Sequence, residues 1–364
     1  MRPLSLALAL LSLNSVCSGD FAFPGFLAGS LDSLVLVGAA NVTGGRVRLT
    51  PAVPGAAGAV WYAVPQRWAS GFTLEFSFRA AVDDPALLSG PCRSVDHVPQ
   101  LCERRMGDGL ALVLQRSSLH ALGASGSGLG YAGIPASVAL ELDTWADAES
   151  RDPGDNHLAV LSRGAQALSA HHASAIGTAQ SSADLGDGRV HVVRAVYAPT
   201  MPADAPQSPA FRASPHLASL IYPAGASFQH GLGSLSVWLD AVGDGAGPPL
   251  LVVPLNLDVL LQSGLECASP VTDQGAPESC GPDGSPPPSP PPPSPPQLPP
   301  PSPPLTNASL PPPPPPPLEA PSQPQSAAAL CCLPGYAWVG LTAATGDALA
   351  AHDILTWAMW STRT

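Results

Sequence analysis

The chain has 364 residues, of which 45% are hydrophobic and only 12% charged, about half the charged share of an ordinary globular domain. All 15 basic residues are Arg and the net charge is −12. This argues against a nucleic-acid protein, which needs a basic face for phosphates, and against a protein held to anionic lipid by basic residues. The length allows one large β domain or two smaller ones.

Residues 1–18 read as a secretory signal. Met1-Arg2 is a short basic start, Leu4–Leu13 an apolar run too short to span a bilayer, and Val16-Cys17-Ser18 a small-residue cleavage site. No later apolar run is long and pure enough to span a bilayer. The mature protein is therefore expected to be soluble and secreted, or retained in a wall or matrix. Beyond the signal the pattern is β. Phe72, Leu74, Phe76 and Phe78 alternate with Thr73, Glu75, Ser77 and Arg79, the period of a half-buried strand. Arg46–Leu49, Leu110–Leu114, Val138–Leu142, Val190–Val196, Leu235–Leu239 and Val339–Ala343 follow the same grammar, separated by Gly, Pro, Asp and Ser. There is no long amphipathic helical repeat and no internal repeat. Many short strands with turn punctuation predict an all-β jelly-roll sandwich.

From Gly281 to about Gln325 the chain is Pro with Ser spacers, holding 24 of the 46 Pro. Such a tract lacks backbone donors and apolar side chains, so it is expected as extended polyproline II. Its Ser-(Pro)n blocks resemble hydroxyproline-rich wall glycoproteins, which implies hydroxylation, O-glycosylation and a cell-wall or matrix setting. A plain stiff spacer accounts for the composition equally well. Six cysteines remain after the signal: Cys92, Cys102, Cys267, Cys280, Cys331 and Cys332. An even number in an exported chain suggests disulfides, with fifteen possible pairings. We expect Cys92–Cys102 to close a local loop, and Cys331 and Cys332 to take Cys267 and Cys280. A zinc site would need closer paired spacings. Asn41-Val42-Thr43 and Asn307-Ala308-Ser309 are N-glycosylation acceptors in an exported chain.

The stretch with the most chemistry is Glu141-Leu142-Asp143-Thr144-Trp145-Ala146-Asp147, followed by Asp152 and His157. Glu141, Asp143 and Asp147 share parity on an extended chain, so they can converge on one face. Asp152 and His157 return after a short loop containing Pro and Gly. Four carboxylates in one place raise each other's pKa, a penalty that a divalent cation removes. Oxygen-rich ligands favour Ca²⁺, and carboxylates with one imidazole suit a transition ion such as Mn²⁺. A solvated acidic loop accounts for any one of these residues, but poorly for the set with His157.

These residues resemble the L-type (legume-type) lectins, the family of concanavalin A and pea lectin. In that family a Glu-x-Asp-x-aromatic-x-Asn strand, then an Asp and a His, holds adjacent Mn²⁺ and Ca²⁺ ions. The resemblance extends in order through Phe21–Phe26, Leu34–Ala40, Arg46–Thr50, Ala57–Tyr62, Phe72–Phe78, Gly107–Ala111, Gly128–Tyr131, Val339–Gly346 and His352–Trp357. It implies a lectin domain over 19–267 completed by final strands in 334–364, with the cysteine-bracketed Pro/Ser-rich insertion 268–333 interrupting it. A second insertion, 199–232, lengthens one connection. The resemblance further implies that Glu141, Asp143, Asp152 and His157 ligate Mn²⁺. Asp143, Asp147, Asp152 and the carbonyl of Trp145 would ligate Ca²⁺. Asp108 matches the sugar-binding aspartate, expected after a cis Gly107–Asp108 bond. Ser127 falls where a glycine N–H reaches the sugar. Asp347 and Ala348 lie on a loop of the length found in pea lectin, which points to mannose or glucose. One position departs: the family's Asn is Asp147 here. Asp keeps the metal ligand but removes an amide donor to the sugar.

The resemblance thus implies a secreted, non-catalytic, metal-dependent carbohydrate-binding protein whose partners are glycans or glycoproteins. Relatives often form homo-oligomers. Two alternatives stand beside it. One is a structural wall or matrix glycoprotein whose lectin scaffold lost sugar binding through Asp147. The other is a glycoside hydrolase of the same fold, which needs two flanking carboxylates. In one such family the second is a Glu at the place of Trp145 or Ala146, so no enzyme is expected. Gly123–Gly130 matches no nucleotide-site pattern, and no nucleophile elbow is present.

Overall fold

The protein was described from a computed structural model, which defines residues 20–27, 31–82, 107–200, 233–241, 247–262 and 335–362. The signal segment, all six remaining cysteines, the Pro-rich tract, Asn307 and residues 201–232 lie outside the described residues.

In chain order the strands are β1 (Phe21–Phe23), β2 (Leu34–Gly38), β3 (Asn41–Thr43), β4 (Arg46–Thr50), β5 (Ala57–Tyr62), β6 (Gln66–Arg67), β7 (Phe72–Ala81) and β8 (Gly109–Gln115). They continue with β9 (Ser137–Asp143), β10 (His157–Ser162), β11 (Ala175–Gln180), β12 (His191–Ala198), β13 (Gly233–Leu239), β14 (Leu251–Leu255), β15 (Tyr336–Ala344) and β16 (Ala351–Ser361). A short helix, α1 (Leu257–Gln262), follows β14. The strands form two antiparallel sheets. The back sheet runs β14-β13-β12-β7-β16-β4-β3, with β1 also on β16; the front sheet runs β11-β10-β9-β8-β15-β5-β2, with β6 also on β15. Among the described residues, no helix is long and apolar enough to cross a membrane.

The period-two alternation of β7 has its expected effect. Phe72, Leu74, Phe76 and Phe78 all enter the core between the sheets, each contributing about 1.5–3 kcal/mol by burial. The opposite face is less exposed than alternation predicts, for Thr73 and Ser77 are also buried. β7 lies between β12 and β16, and Ser77 Oγ meets Thr356 Oγ1 on β16 at 2.6 Å. Short polar side chains on a central strand are shielded by their neighbours.

The front sheet is buried on both faces. Leu110, Leu112, Leu140 and Leu142 join the core between the sheets. Ala111, Val113, Ala139 and Ala159 join a second cluster with Leu129, Tyr131, Ile134 and Leu168, contributed by loops over the outer face. These loops make a third layer, and Glu141 and Asp143 have the parity of Ala139, toward it. Polar groups on that face are therefore withdrawn from water.

β15 and β16 follow the Pro-rich tract in sequence yet lie inside their sheets, β15 between β8 and β5 and β16 between β7 and β4. The fit is close at Gly340, where a Cβ would stand 2.2 Å from Trp61 Cε3 and 2.5 Å from the Val60 carbonyl oxygen. Only glycine lets the Trp61 ring lie against that backbone.

Candidate functional site

β9 carries Glu141 and Asp143 into the layer under the loops, where they are 1% and 4% exposed. β10 pairs with β9 so that His157 lies opposite Asp143. The parity argument holds for these two carboxylates but not for Asp147, because β9 ends at Asp143 and 144–156 form a loop. That loop closes on itself: the Asp147 N–H donates to Asp152 Oδ2 at 2.8 Å and the Asp152 N–H to the Asp147 carbonyl at 3.2 Å. Asp143 Oδ1 accepts from the Trp145 N–H at 2.7 Å.

Ligand atoms of Asp143, Asp152 and His157 all lie within 4.8 Å of one another. Glu141 stands at the edge of this group. Its Oε1 is 3.3 Å from His157 Nε2, and its Oε2 accepts from the Tyr131 hydroxyl at 2.5 Å. Burial, then the Glu141 charge, pushes the Asp143 carboxyl well above the usual carboxylate range. Asp152 is raised too, mainly by burial and despite the Asp147 N–H bond. Burial works to lower His157, but the hydrogen bond and charge of Glu141, with Asp152, leave it above its ordinary value.

The group fits a divalent cation. His157 Nδ1 lies 2.8 Å from the Gly154 carbonyl, which can only accept. That puts a proton on Nδ1 and makes Nε2 the atom that could ligate an ion. Nε2 is buried and faces Glu141 Oε1, so a cation would take the place of the proton that Glu141 draws onto it. Asp143, Asp152 and His157, with Glu141 beside them, would hold the ion, and its charge would cancel the mutual repulsion of the carboxylates.

Asp108 lies at the start of β8, and Thr144 binds it to the end of β9. The Thr144 N–H donates to the Asp108 carbonyl at 3.1 Å and its Oγ1 to the Gly107 carbonyl at 2.5 Å. The expected cis bond between Gly107 and Asp108 is absent, for the peptide is trans. A non-proline cis bond costs about 2.5–4 kcal/mol, and the trans form already gives both carbonyls a donor from Thr144. The Asp108 carboxylate is buried, and its Oδ2 has no hydrogen-bond partner. Burial pushes its pKa up to about 6; the Gly346 N–H works against this, while the Asp147 and Asp347 charges add to it.

The other residues expected at a sugar site lie on loops that approach this carboxylate. A Cβ on Gly346 would lie 3.0 Å from Asp108 Oδ2 and 3.4 Å from Gly126 Cα, so glycine permits this approach. The Gly126 N–H donates to the Thr345 carbonyl at 3.2 Å, which joins the 3₁₀ turn Gly126–Gly128 to the loop after β15. Ser127 lies on that turn, half-buried, while Asp347 is exposed and Ala348 half-buried on the other loop. Asp147 Oδ1 accepts from the N–H groups of Glu149 and Ser150, at 2.8 and 3.4 Å.

Two contributors escaped the sequence reading. Thr144 joins the acidic loop to Asp108, and Tyr131 reaches Glu141 from the Ser127 loop. The hydroxyl of Thr144 finds its partner in the segment before β8, and that of Tyr131 reaches down from a loop onto β9, so spacing carried no sign of either. His172, which sequence suggests is a surface or core residue rather than a ligand, is half-buried, with its ring centroid 6.1 Å from that of His157.

No family model matches the sequence. Among solved structures, the metal-free form of lectin I-B4 from Griffonia simplicifolia is 17% identical, covers 95% of this chain and 100% of its own, and has a TM-score of 0.50. The lectin from Bauhinia forficata in complex with GalNAc is 14% identical, with 95% and 99% covered and a TM-score of 0.49. The exoplasmic/lumenal domain of VIP36 in its Ca²⁺/Man-bound form is 14% identical, with 94% and 90% covered and a TM-score of 0.47. The two packed antiparallel sheets of this chain are the jelly-roll sandwich of the legume lectins.

Proposed function

We propose that the chain is an exported, non-catalytic carbohydrate-binding protein that depends on Ca²⁺ and a transition ion such as Mn²⁺. The observation that carries this reading is Asp108: a buried carboxylate whose Oδ2 lacks a partner, at the meeting point of two loops. Such an oxygen calls for a donor, and a pair of sugar hydroxyls supplies charge-assisted bonds without a covalent step. The Ser127 turn and the Asp347–Ala348 loop beside it offer further polar groups, and the loop length favours the mannose/glucose class. A cation held by Asp143, Asp152 and His157, with Glu141 adjoining, would hold the loop through Asp147 in place.

The test is a glycan array on the mature protein with Ca²⁺ and Mn²⁺ and again with EDTA, alongside Asp108→Ala. We expect cation-dependent binding, and at least a ~100-fold loss in the variant from two missing bonds to a charged group. Equal glycan retention by a folded Asp108→Ala protein would exclude this site.

One observation favours a second reading, a matrix scaffold without sugar binding. Asp147 supplies no amide donor, and its carboxylate is turned into its own loop. A folded, metal-loaded protein that retains no glycan would support that reading, and Asp147→Asn would then be expected to create binding.

A further inference from the structure

We propose that Tyr131 is a positioning residue that couples cation binding to the sugar-facing loop, an inference that rests on the cation-dependent reading above. Tyr131 is fully buried, and its hydroxyl donates to Glu141 Oε2. With Oε2 held, the other oxygen of Glu141 is turned toward His157 Nε2 and the Asp143–Asp152–His157 group. A glutamate has three side-chain torsions to fix. A buried hydroxyl that fixes them in advance presents Oε1 to an arriving ion in one orientation.

The other end of Tyr131 belongs to the sugar-facing loop. Its N–H donates to the Gly128 carbonyl at 3.0 Å, and the Gly126 N–H beyond reaches the Thr345 carbonyl. Within the loop, Gly123 N–H donates to the Gly130 carbonyl and Ala124 N–H to the Ala132 carbonyl, at 2.7 and 2.9 Å. The loop is thus a closed unit, and the phenol ring packs in the cluster over the front sheet. An unbroken chain runs from the cation group through Glu141, Tyr131 and Gly128 to Ser127 and the loop against Asp108. A displacement of Glu141 is passed to Ser127 through a rigid ring.

The test is Tyr131→Phe in the full chain, which keeps the ring and removes the hydroxyl. Mn²⁺ affinity is read from the free-ion signal by electron paramagnetic resonance, and metal-free melting is followed in EDTA. We expect the Mn²⁺ dissociation constant to rise about 10–100-fold. Glycan binding should fall at limiting Mn²⁺ and recover at saturation. A lower metal-free melting temperature with unchanged Mn²⁺ affinity would show a merely structural hydroxyl and overturn the proposal alone. A folded native chain that binds neither Mn²⁺ nor Ca²⁺ would overturn both the cation reading and the proposal. Because Phe strands a buried carboxylate, the change is repeated on Glu141→Ala, where no carboxylate is left to strand and Phe removes a hydroxyl that has already lost its acceptor. There Tyr131→Phe should cause no further loss of Mn²⁺ affinity. An equal loss in both backgrounds would show that Tyr131 does not act through Glu141.

Discussion

Asp108→Asn should stabilise the cation-free protein at neutral pH while abolishing the glycan binding proposed for it. The folded protein holds the Asp108 carboxyl at a pKa of about 6, against 3.8 for the unperturbed group. A rise of about two units at about 1.4 kcal/mol each makes the charged form about 3 kcal/mol more costly in the fold than in the unfolded chain. The sign follows from proton binding. Between pH 4 and 6 the native state holds more protons than the unfolded state, so stability falls as pH rises. The deficit is fully present above pH 6 and relieved below about pH 4. Asn removes the charge and still accepts the Gly346 N–H, but it leaves an amide NH₂ where Oδ2 now has no partner, at a cost of about 1 kcal/mol. The net gain is about 2 kcal/mol at pH 7, or roughly 4–8 °C in melting temperature for a domain of this size. Calorimetry in EDTA at pH 7 and at pH 4 would read it. The variant should lead the native protein at pH 7, and the lead should vanish at pH 4. A variant no more stable than the native chain at pH 7 would refute the claim that this carboxylate is held at a cost for a ligand.

Adding Mn²⁺ and Ca²⁺ at about 100 times their dissociation constants should stabilise the fold by about 2.7 kcal/mol for each ion bound, or about 5 kcal/mol for the pair. The effect should fade as pH falls and protons compete for Asp143, Asp152 and His157; thermal shift assays with and without EDTA measure it, and Asp143→Asn should remove most of it. Gly340→Ala places a methyl group against Trp61 and the Val60 carbonyl, with overpacking worth about 3 kcal/mol or more; urea unfolding should show a clearly lower midpoint. A midpoint equal to the native one would mean that β15 and β5 separate without cost.

How much was legible in the sequence depended on how local the signal is. The β7 alternation, the strand ranges and the Glu141–Asp143 pair are near-neighbour patterns, and the structure places them on β7 and β9 as their spacing predicts. Parity failed at Asp147 because it presumes extended backbone, and the chain turns after Asp143. The Gly107–Asp108 bond was expected cis from resemblance alone, whereas the Thr144 hydrogen bonds favour the trans form seen here.

Composition and period, by themselves, pointed to an all-β chain, an acidic cluster with one imidazole and a Pro-rich tract, because each is a property of residues near one another in sequence. Only the tertiary structure decided that β15 and β16 lie within their sheets, that loops roof the front sheet and bury its carboxylates, that the Tyr131 hydroxyl meets Glu141, and that Thr144 meets Gly107 and Asp108. Burial and cross-strand contact set the pKa of a carboxylate and the partner of a hydroxyl, and both arise between residues that sequence keeps apart.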